Sequence, residues 1–111
     1  MMKKLTIKER KALDTFKNNV SSLLGPDLQQ TILFGSKARG DARTTSDFDL
    51  GIIVRHVTHQ TKRNVIDIAY NRYLEDGVEI SPVVYTAEEY EKYRLAGNPF
   101  IKNIDKDKII I

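Results

Sequence analysis

The sequence contains no cysteine among its 111 residues, which excludes disulfide bonds and thiolate chemistry. It also lacks long apolar runs: uninterrupted ones span only a few positions, far short of the roughly 20 residues that cross a bilayer as a helix. The N-terminal stretch MMKKLTIKER carries lysines but no apolar segment followed by a small-residue cleavage site, so a secretory signal is not expected. These absences predict a cytoplasmic protein with no membrane partner.

Internal repeats, low-complexity tracts and interior linkers are absent as well. A hydrophobic share of 41% and a charged share of 30% are ordinary for a globular protein and argue against disorder. The length is typical of one folded unit. Residues 1–111 are therefore predicted to form a single domain.

Positive charge is in slight excess, at +3, and is concentrated near the N-terminus. Residues 1–24 hold two acidic side chains, Glu9 and Asp14, against six basic ones: Lys3, Lys4, Lys8, Arg10, Lys11 and Lys17. A solvated helix face is the favoured interpretation, and binding to nucleic acid is the alternative.

Helix and strand patterns alternate along the chain. Thr6 followed by Glu9 fits a capping box, and the apolar stripe behind it predicts a helix that stops at Gly25. Further helices are predicted over about 61–74 and after Thr86, and strands over 30–34, 47–54 and 78–85. The tail is predicted to form a helical turn and a short strand, its last three isoleucines either pairing with an edge strand or lying buried in an oligomer. The order predicts an α/β (α+β) fold, a small mixed β-sheet with helices packed mainly on one face.

Two aspartates begin the strand predicted over 47–54. Alternation places Asp47 and Asp49 together on one face, with α-carbons roughly 6.6 Å apart, and apolar residues on the other: Phe48, Leu50, Ile52 and Val54. Two carboxylates this close repel each other, and a divalent cation between them removes the conflict. Mg²⁺ suits such oxygen ligands. The alternative is a solvent-facing pair at the start of a strand.

A Gly-Ser pair follows the preceding strand and is separated from Asp47 by ten residues. Gly35 permits a tight turn and close approach of a phosphate, and the amides of SKARG at the start of a short helix favour an anion. Ser36 adds a hydroxyl, and Lys37 and Arg39 add positive charge. The stretch is not a P-loop, because no lysine and hydroxyl residue follow its second glycine.

Taken together, Gly-Ser, ten residues and Asp-Phe-Asp resemble the signature of minimal nucleotidyltransferases (MNT), small members of the DNA polymerase beta-like nucleotidyltransferase superfamily. The stretch LFGSKARGDARTTSDFDLGIIV carries the resemblance, about a fifth of the chain. The family implies a third carboxylate on a later strand, and Glu79 in GVEIS fills that place, where many relatives have aspartate. The alternative for Glu79 is an exposed residue on an edge strand beside Pro82.

The resemblance implies Mg²⁺-dependent transfer of a nucleoside monophosphate, AMP from ATP, onto a hydroxyl acceptor. It implies catalytic and metal-binding roles, with two Mg²⁺ ions, for Asp47, Asp49 and Glu79, and nucleotide-binding roles for Gly35, Ser36, Lys37 and Arg39. Small members of this family are often paired with an HEPN-domain toxin and act as its antitoxin by adding AMP to a tyrosine. A hetero-complex or an oligomer is therefore expected, with the acceptor supplied by the partner.

Three other functions stay open. A binding module could neutralise its partner by contact alone. A nucleic-acid-binding domain is disfavoured, because the nine Phe and Tyr residues fall mostly at core or helix positions and form no stacking platform. Nucleotide transfer to an antibiotic would need a drug-binding half for which this chain has no room.

Overall fold

The computed structural model describes residues 5–41 and 46–111, and it confirms the mixed α/β fold. The helices are α1 (Ile7–Leu24), α2 (Gly35–Arg39), α3 (His59–Asp76), α4 (Ala87–Leu95) and α5 (Pro99–Asp107). The strands are β1 (Leu28–Phe34), β2 (Phe48–Val54), β3 (Ile80–Thr86) and β4 (Ile109–Ile110). Over these two stretches, no helix is both long and apolar enough to cross a membrane.

Helix α1 begins at the predicted capping box. The Thr6 hydroxyl accepts from the Glu9 amide at 3.0 Å, and the Glu9 carboxylate accepts from the Thr6 amide at 3.0 Å. Two donors of the first turn are thereby satisfied. Lys3 and Lys4 of the predicted basic segment lie outside the described residues.

The strands form one sheet in the order β3-β2-β1-β4. Strand β2 pairs antiparallel with β1 and parallel with β3, and β4 pairs antiparallel with β1. Strand β3 is an edge strand, as Pro82 predicted. Ile109 and Ile110 pair with Leu33 and Ile32, so the tail covers the edge of β1. The prediction of a single helical turn before β4 was too short. The structure has a nine-residue helix there, α5, which starts at a cap formed by Asn98.

One face of the sheet carries the larger core. Alternate residues of β2 point into it, and Leu33 of β1 and Ile80 of β3 join them. Helices α1 and α3 supply the opposing side chains: Ala12, Leu13, Phe16, Val20, Leu24, Val65 and Ala69. The predicted division of β2 into two faces is confirmed.

The opposite face has a second, smaller core beneath α5. Ile101 and Ile104 of α5 pack with Ile32, Phe34 and Ile53. The two long helices therefore share one face, while α5 covers part of the other. Tyr90 of α4 also packs on this second face, and Asp47 and Asp49, where β2 begins, are partly exposed.

Candidate active site

The start of β2 presents both predicted aspartates on the sheet face opposite α1 and α3. Asp47 directly precedes the strand and Asp49 is its second residue, and both side chains are partly exposed. Phe48 between them is buried in the larger core at 1% exposure. The anchored phenyl ring thus holds the two carboxylates on the same side of the sheet.

Gly35 lies against the Asp49 carboxylate. Phe34 pairs with Asp49 across the two strands, so the chain leaving β1 turns beside this side chain. A β-carbon on Gly35 would stand 2.3 Å from Asp49 Oδ2, and the Gly35 φ of 76° is in the left-handed region. Only glycine satisfies both conditions without strain. The tight turn predicted from the sequence is therefore also a close approach to the acidic pair.

The two carboxylates repel each other electrostatically. Burial first, and then the negative charge of Asp47, raise the pKa of Asp49 above its ordinary value, and the positive charge of Arg39 lowers it in part. Among residues 5–41 and 46–111, neither aspartate forms an ion pair with a basic side chain. A partly buried pair of carboxylates without a paired cation fits a divalent metal ion.

Glu79 stands beside this pair at the start of β3. Its backbone carbonyl accepts a hydrogen bond from the Phe48 amide at 3.0 Å. The next residue, Ile80, pairs with Phe48 in the parallel register of β2 and β3. Its side chain is exposed. The described part of the chain holds no group of three His, Cys, Asp or Glu placed to bind a metal ion. The fold thus brings Asp47 and Asp49 together. Glu79 directly precedes the adjacent strand, but its carboxylate does not form a three-ligand metal site with them in the described part of the chain.

Sequence reasoning missed one side chain of the site, Ser81. Its hydroxyl donates to Asp47 Oδ2 at 2.8 Å, and it is paired with Asp49 in the parallel register. The signal was present in the spacing, because a residue two positions after Glu79 faces the same way.

Helix α2 supplies the predicted nucleotide-binding residues. Gly35 and Ser36 open it without a side-chain cap, so its first amides are available to an anion. Arg39 is bound to acidic side chains, donating to Asp107 of α5 at 2.7 Å and to Asp41 at 3.1 Å. Its side chain is still 45% exposed, and its charge acts on Asp49 electrostatically.

Lys37, predicted to bind the nucleotide, is paired with an acidic side chain of α1 and largely buried. Its ammonium donates to Glu9 of α1 at 3.2 Å, with only 9% of its side chain exposed. The same ammonium lies 4.7 Å from the centre of the Phe48 ring, a distance suited to a cation–π contact. These contacts favour a structural role, attaching α2 to α1 and to the residue between the two aspartates, over the phosphate contact.

Replacing Lys37 by methionine tests this assignment. Lys37→Met should lower the free energy of unfolding by roughly 1.5–3 kcal/mol, the range for a hydrogen bond to a charged group, and should leave the KM for ATP nearly unchanged. Urea unfolding and steady-state kinetics measure the two effects. Glu9→Gln is the matched partner variant, because glutamine preserves the capping box. A large rise in KM at unchanged stability would instead favour the phosphate contact.

Comparison with known proteins assigns the family. The family model described as nucleotidyltransferase domain matches residues 13–111. The chain belongs to the nucleotidyltransferase domain family. A candidate protein adenylyltransferase from Methanocaldococcus jannaschii is 41% identical over 71 residues, covering 63% of this chain and 72% of that protein. The predicted resemblance and the enzyme class are both confirmed.

Solved structures share the fold. A chain of a toxin–antitoxin complex with AMP-PNP superposes with a TM-score of 0.59 at 16% identity, covering 86% of this nucleotidyltransferase and 68% of that chain. A chain of a complex between a tri-AMPylated HEPN toxin of Shewanella oneidensis and an MNT antitoxin gives 0.51 at 16% identity, covering 87% and 69%. The predicted nucleotidyltransferase fold is thereby confirmed.

Proposed function

We propose that this nucleotidyltransferase transfers AMP from ATP to a tyrosine of a partner HEPN-domain toxin, in a Mg²⁺-dependent reaction, and acts as the antitoxin. The observation that supports this best is the close approach of Gly35 to Asp49, which unites the predicted phosphate turn and the acidic pair in one site. The proposal includes a cytoplasmic location, where ATP is available.

Asp47 and Asp49 would hold the divalent cation, with Glu79 as a third carboxylate from the adjacent strand. The cation would neutralise charge that develops on the phosphate oxygens. Gly35 and Ser36 would receive the β- and γ-phosphates at the start of α2, and the Arg39 guanidinium would add positive charge at the end of that helix.

The reaction exchanges a phosphoanhydride bond of ATP for a phosphate ester bond to the acceptor. The tyrosine oxygen forms a bond to the α-phosphorus of ATP, and the bond from that phosphorus to the oxygen bridging the β-phosphate breaks. Pyrophosphate leaves, and the phenol proton passes to a carboxylate or to solvent. Glu79 is the candidate acceptor of this proton, because its exposed side chain can reach a substrate that arrives from outside.

Radiolabelled ATP tests the proposal. The purified chain, Mg²⁺ and an HEPN-domain toxin are incubated with ATP labelled at either the α- or the γ-phosphate. Label from the α-position should enter the toxin, label from the γ-position should not, and substitution of the acceptor tyrosine by phenylalanine should abolish the signal. Transfer of γ-label would show a kinase, and absence of any label would refute nucleotidyl transfer to this acceptor.

The contact-only alternative makes an opposite prediction in cells. If transfer is the protective event, Asp47→Asn and Asp49→Asn chains should fail to rescue growth when the toxin is expressed. If contact suffices, both variants should protect as well as the unaltered chain. Co-purification of each variant with the toxin controls for loss of the complex.

A further inference from the structure

We propose that Ser81 is a positioning residue that orients the Asp47 carboxylate for the divalent cation, an inference that rests on the proposed function. The Ser81 hydroxyl donates to Asp47 Oδ2 at 2.8 Å. That bond takes one lone pair of Oδ2 and fixes the orientation of the carboxylate, whose remaining lone pairs stay available to the cation. Ser81 itself would not contact the metal or the nucleotide.

The backbone around Ser81 fixes where its hydroxyl lies. The parallel register pairs Ser81 with Asp49, so Ser81 lies on the same sheet face as the acidic pair. Pro82 follows it, and a residue before proline is restricted to the extended region. The serine therefore has little backbone freedom, and its short side chain delivers the hydroxyl to one place.

Asp47 is the carboxylate that needs such support. It precedes β2 and lies outside the strand pairing, whereas Asp49 lies within the strand and against Gly35. The like charge of Asp49 favours rotation of the Asp47 side chain away from the site. A hydrogen bond from the neighbouring strand opposes that rotation.

The chemistry of the donor also fits this role. A lysine or arginine at position 81 would neutralise Asp47 and compete with a metal ion for it. A serine hydroxyl is neutral, so it orients the carboxylate and leaves its full negative charge for the cation. Partners of this kind around metal ligands typically contribute about 10- to 100-fold in metal affinity.

Manganese binding tests the proposal without relying on activity. Free Mn²⁺ is titrated by its electron paramagnetic resonance signal in the presence of the chain and AMP-PNP, a non-hydrolysable ATP analogue, and the same titration without the chain is subtracted because the nucleotide alone also binds Mn²⁺. Ser81→Ala should weaken Mn²⁺ binding by about 10- to 100-fold, while Ser81→Thr, which keeps the hydroxyl, should restore most of the affinity. Ser22→Ala, at an exposed position of α1, is the matched control and should leave binding unchanged.

Thermal unfolding of the same variants separates positioning from a merely structural role. If Ser81 only stabilises β3, Ser81→Ala lowers Tm and leaves the Mn²⁺ affinity of the folded protein intact, which overturns the proposal. If both Ser81→Ala and Ser81→Thr bind as the unaltered chain does, it is overturned as well. An unaltered chain that binds no Mn²⁺ with AMP-PNP contradicts the proposed function and, with it, this role of Ser81.

Discussion

Asp49→Asn should reduce AMP transfer by about 10²- to 10³-fold or more, the range for loss of a group that stabilises transition-state charge. The expected loss is large because asparagine is nearly the same size as aspartate but cannot supply the negative charge that binds a cation. Single-turnover transfer of α-labelled ATP measures it. A variant that keeps a substantial part of the rate would show that Asp49 does not bind the metal ion.

The same substitution should make the protein more stable. Burial and Asp47 raise the pKa of Asp49 above its ordinary 3.8, so the folded chain retains this proton to higher pH than the unfolded chain. Ionising Asp49 therefore costs stability as the pH rises through its raised pKa. The advantage of Asp49→Asn over the unaltered chain should be absent at pH values below 3.8 and grow toward neutral pH. Denaturant unfolding at several pH values measures it.

Added Mg²⁺ and ATP should make the unaltered chain more stable than Asp49→Asn. A ligand that binds only the folded state raises its stability, so the pair should raise the Tm of the unaltered chain and have little effect on Asp49→Asn. Repulsion between its own carboxylates then destabilises the chain, and binding of the ligand stabilises it again. Such a cost in stability is expected when function requires the two carboxylates to lie close together. If Asp49→Asn were less stable at every pH, this carboxylate would be structural.

Gly35→Ala should damage both stability and catalysis. The left-handed backbone at φ 76° costs an alanine about 1–2 kcal/mol, and the new β-carbon would also displace the Asp49 carboxylate. A misplacement of about 1 Å at a reacting centre can cost about 10²-fold in rate, so the rate should fall by at least about that much.

Gly40→Ala provides the matched control at the other end of α2. Gly40 has a φ of 83°, and no atom of residues 5–41 and 46–111 lies near the position of an added β-carbon. Both variants therefore carry backbone strain, but only Gly35→Ala meets the carboxylate. Unfolding assays should show a similar loss of stability from backbone strain in both variants. Transfer assays should show a severe loss of AMP transfer for Gly35→Ala alone. Equal activities would mean that the close approach to Asp49 is unimportant.

Local patterns predicted most of the fold. The capping box at Thr6, the alternation along β2 and the glycine after β1 each reflect a physical requirement satisfied within a few residues. Helix α3 shows where such reasoning ended. Tyr73 recurs at helical spacing with the buried Val65 and Ala69, yet it is 50% exposed. Arg72 is instead 8% exposed and paired with carboxylates one turn away.

The part of the candidate site that lies on one strand could be predicted from the sequence. Contacts between side chains of two different elements were harder to predict. Asp47 and Asp49 share a face by alternation alone. The spacing of two from Glu79 placed Ser81 on the same face, but its contact with Asp47 required the register between β2 and β3. The contact of Lys37 required the packing of α2 on α1, and neither arrangement is encoded by a local pattern. Lys37 was predicted to contact phosphate because its charge lies near the glycine turn, and only the fold shows Glu9 beside it.

The central claim is that Asp47, Asp49 and the turn at Gly35 form one site for a metal ion and a triphosphate. Calorimetric titration of the chain with ATP, in Mg²⁺ and separately in EDTA, tests it most directly. The account predicts measurable binding in Mg²⁺ that disappears in EDTA and in the Asp47→Asn, Asp49→Asn double variant. ATP binding that is the same in EDTA, or unaffected in the double variant, would contradict it.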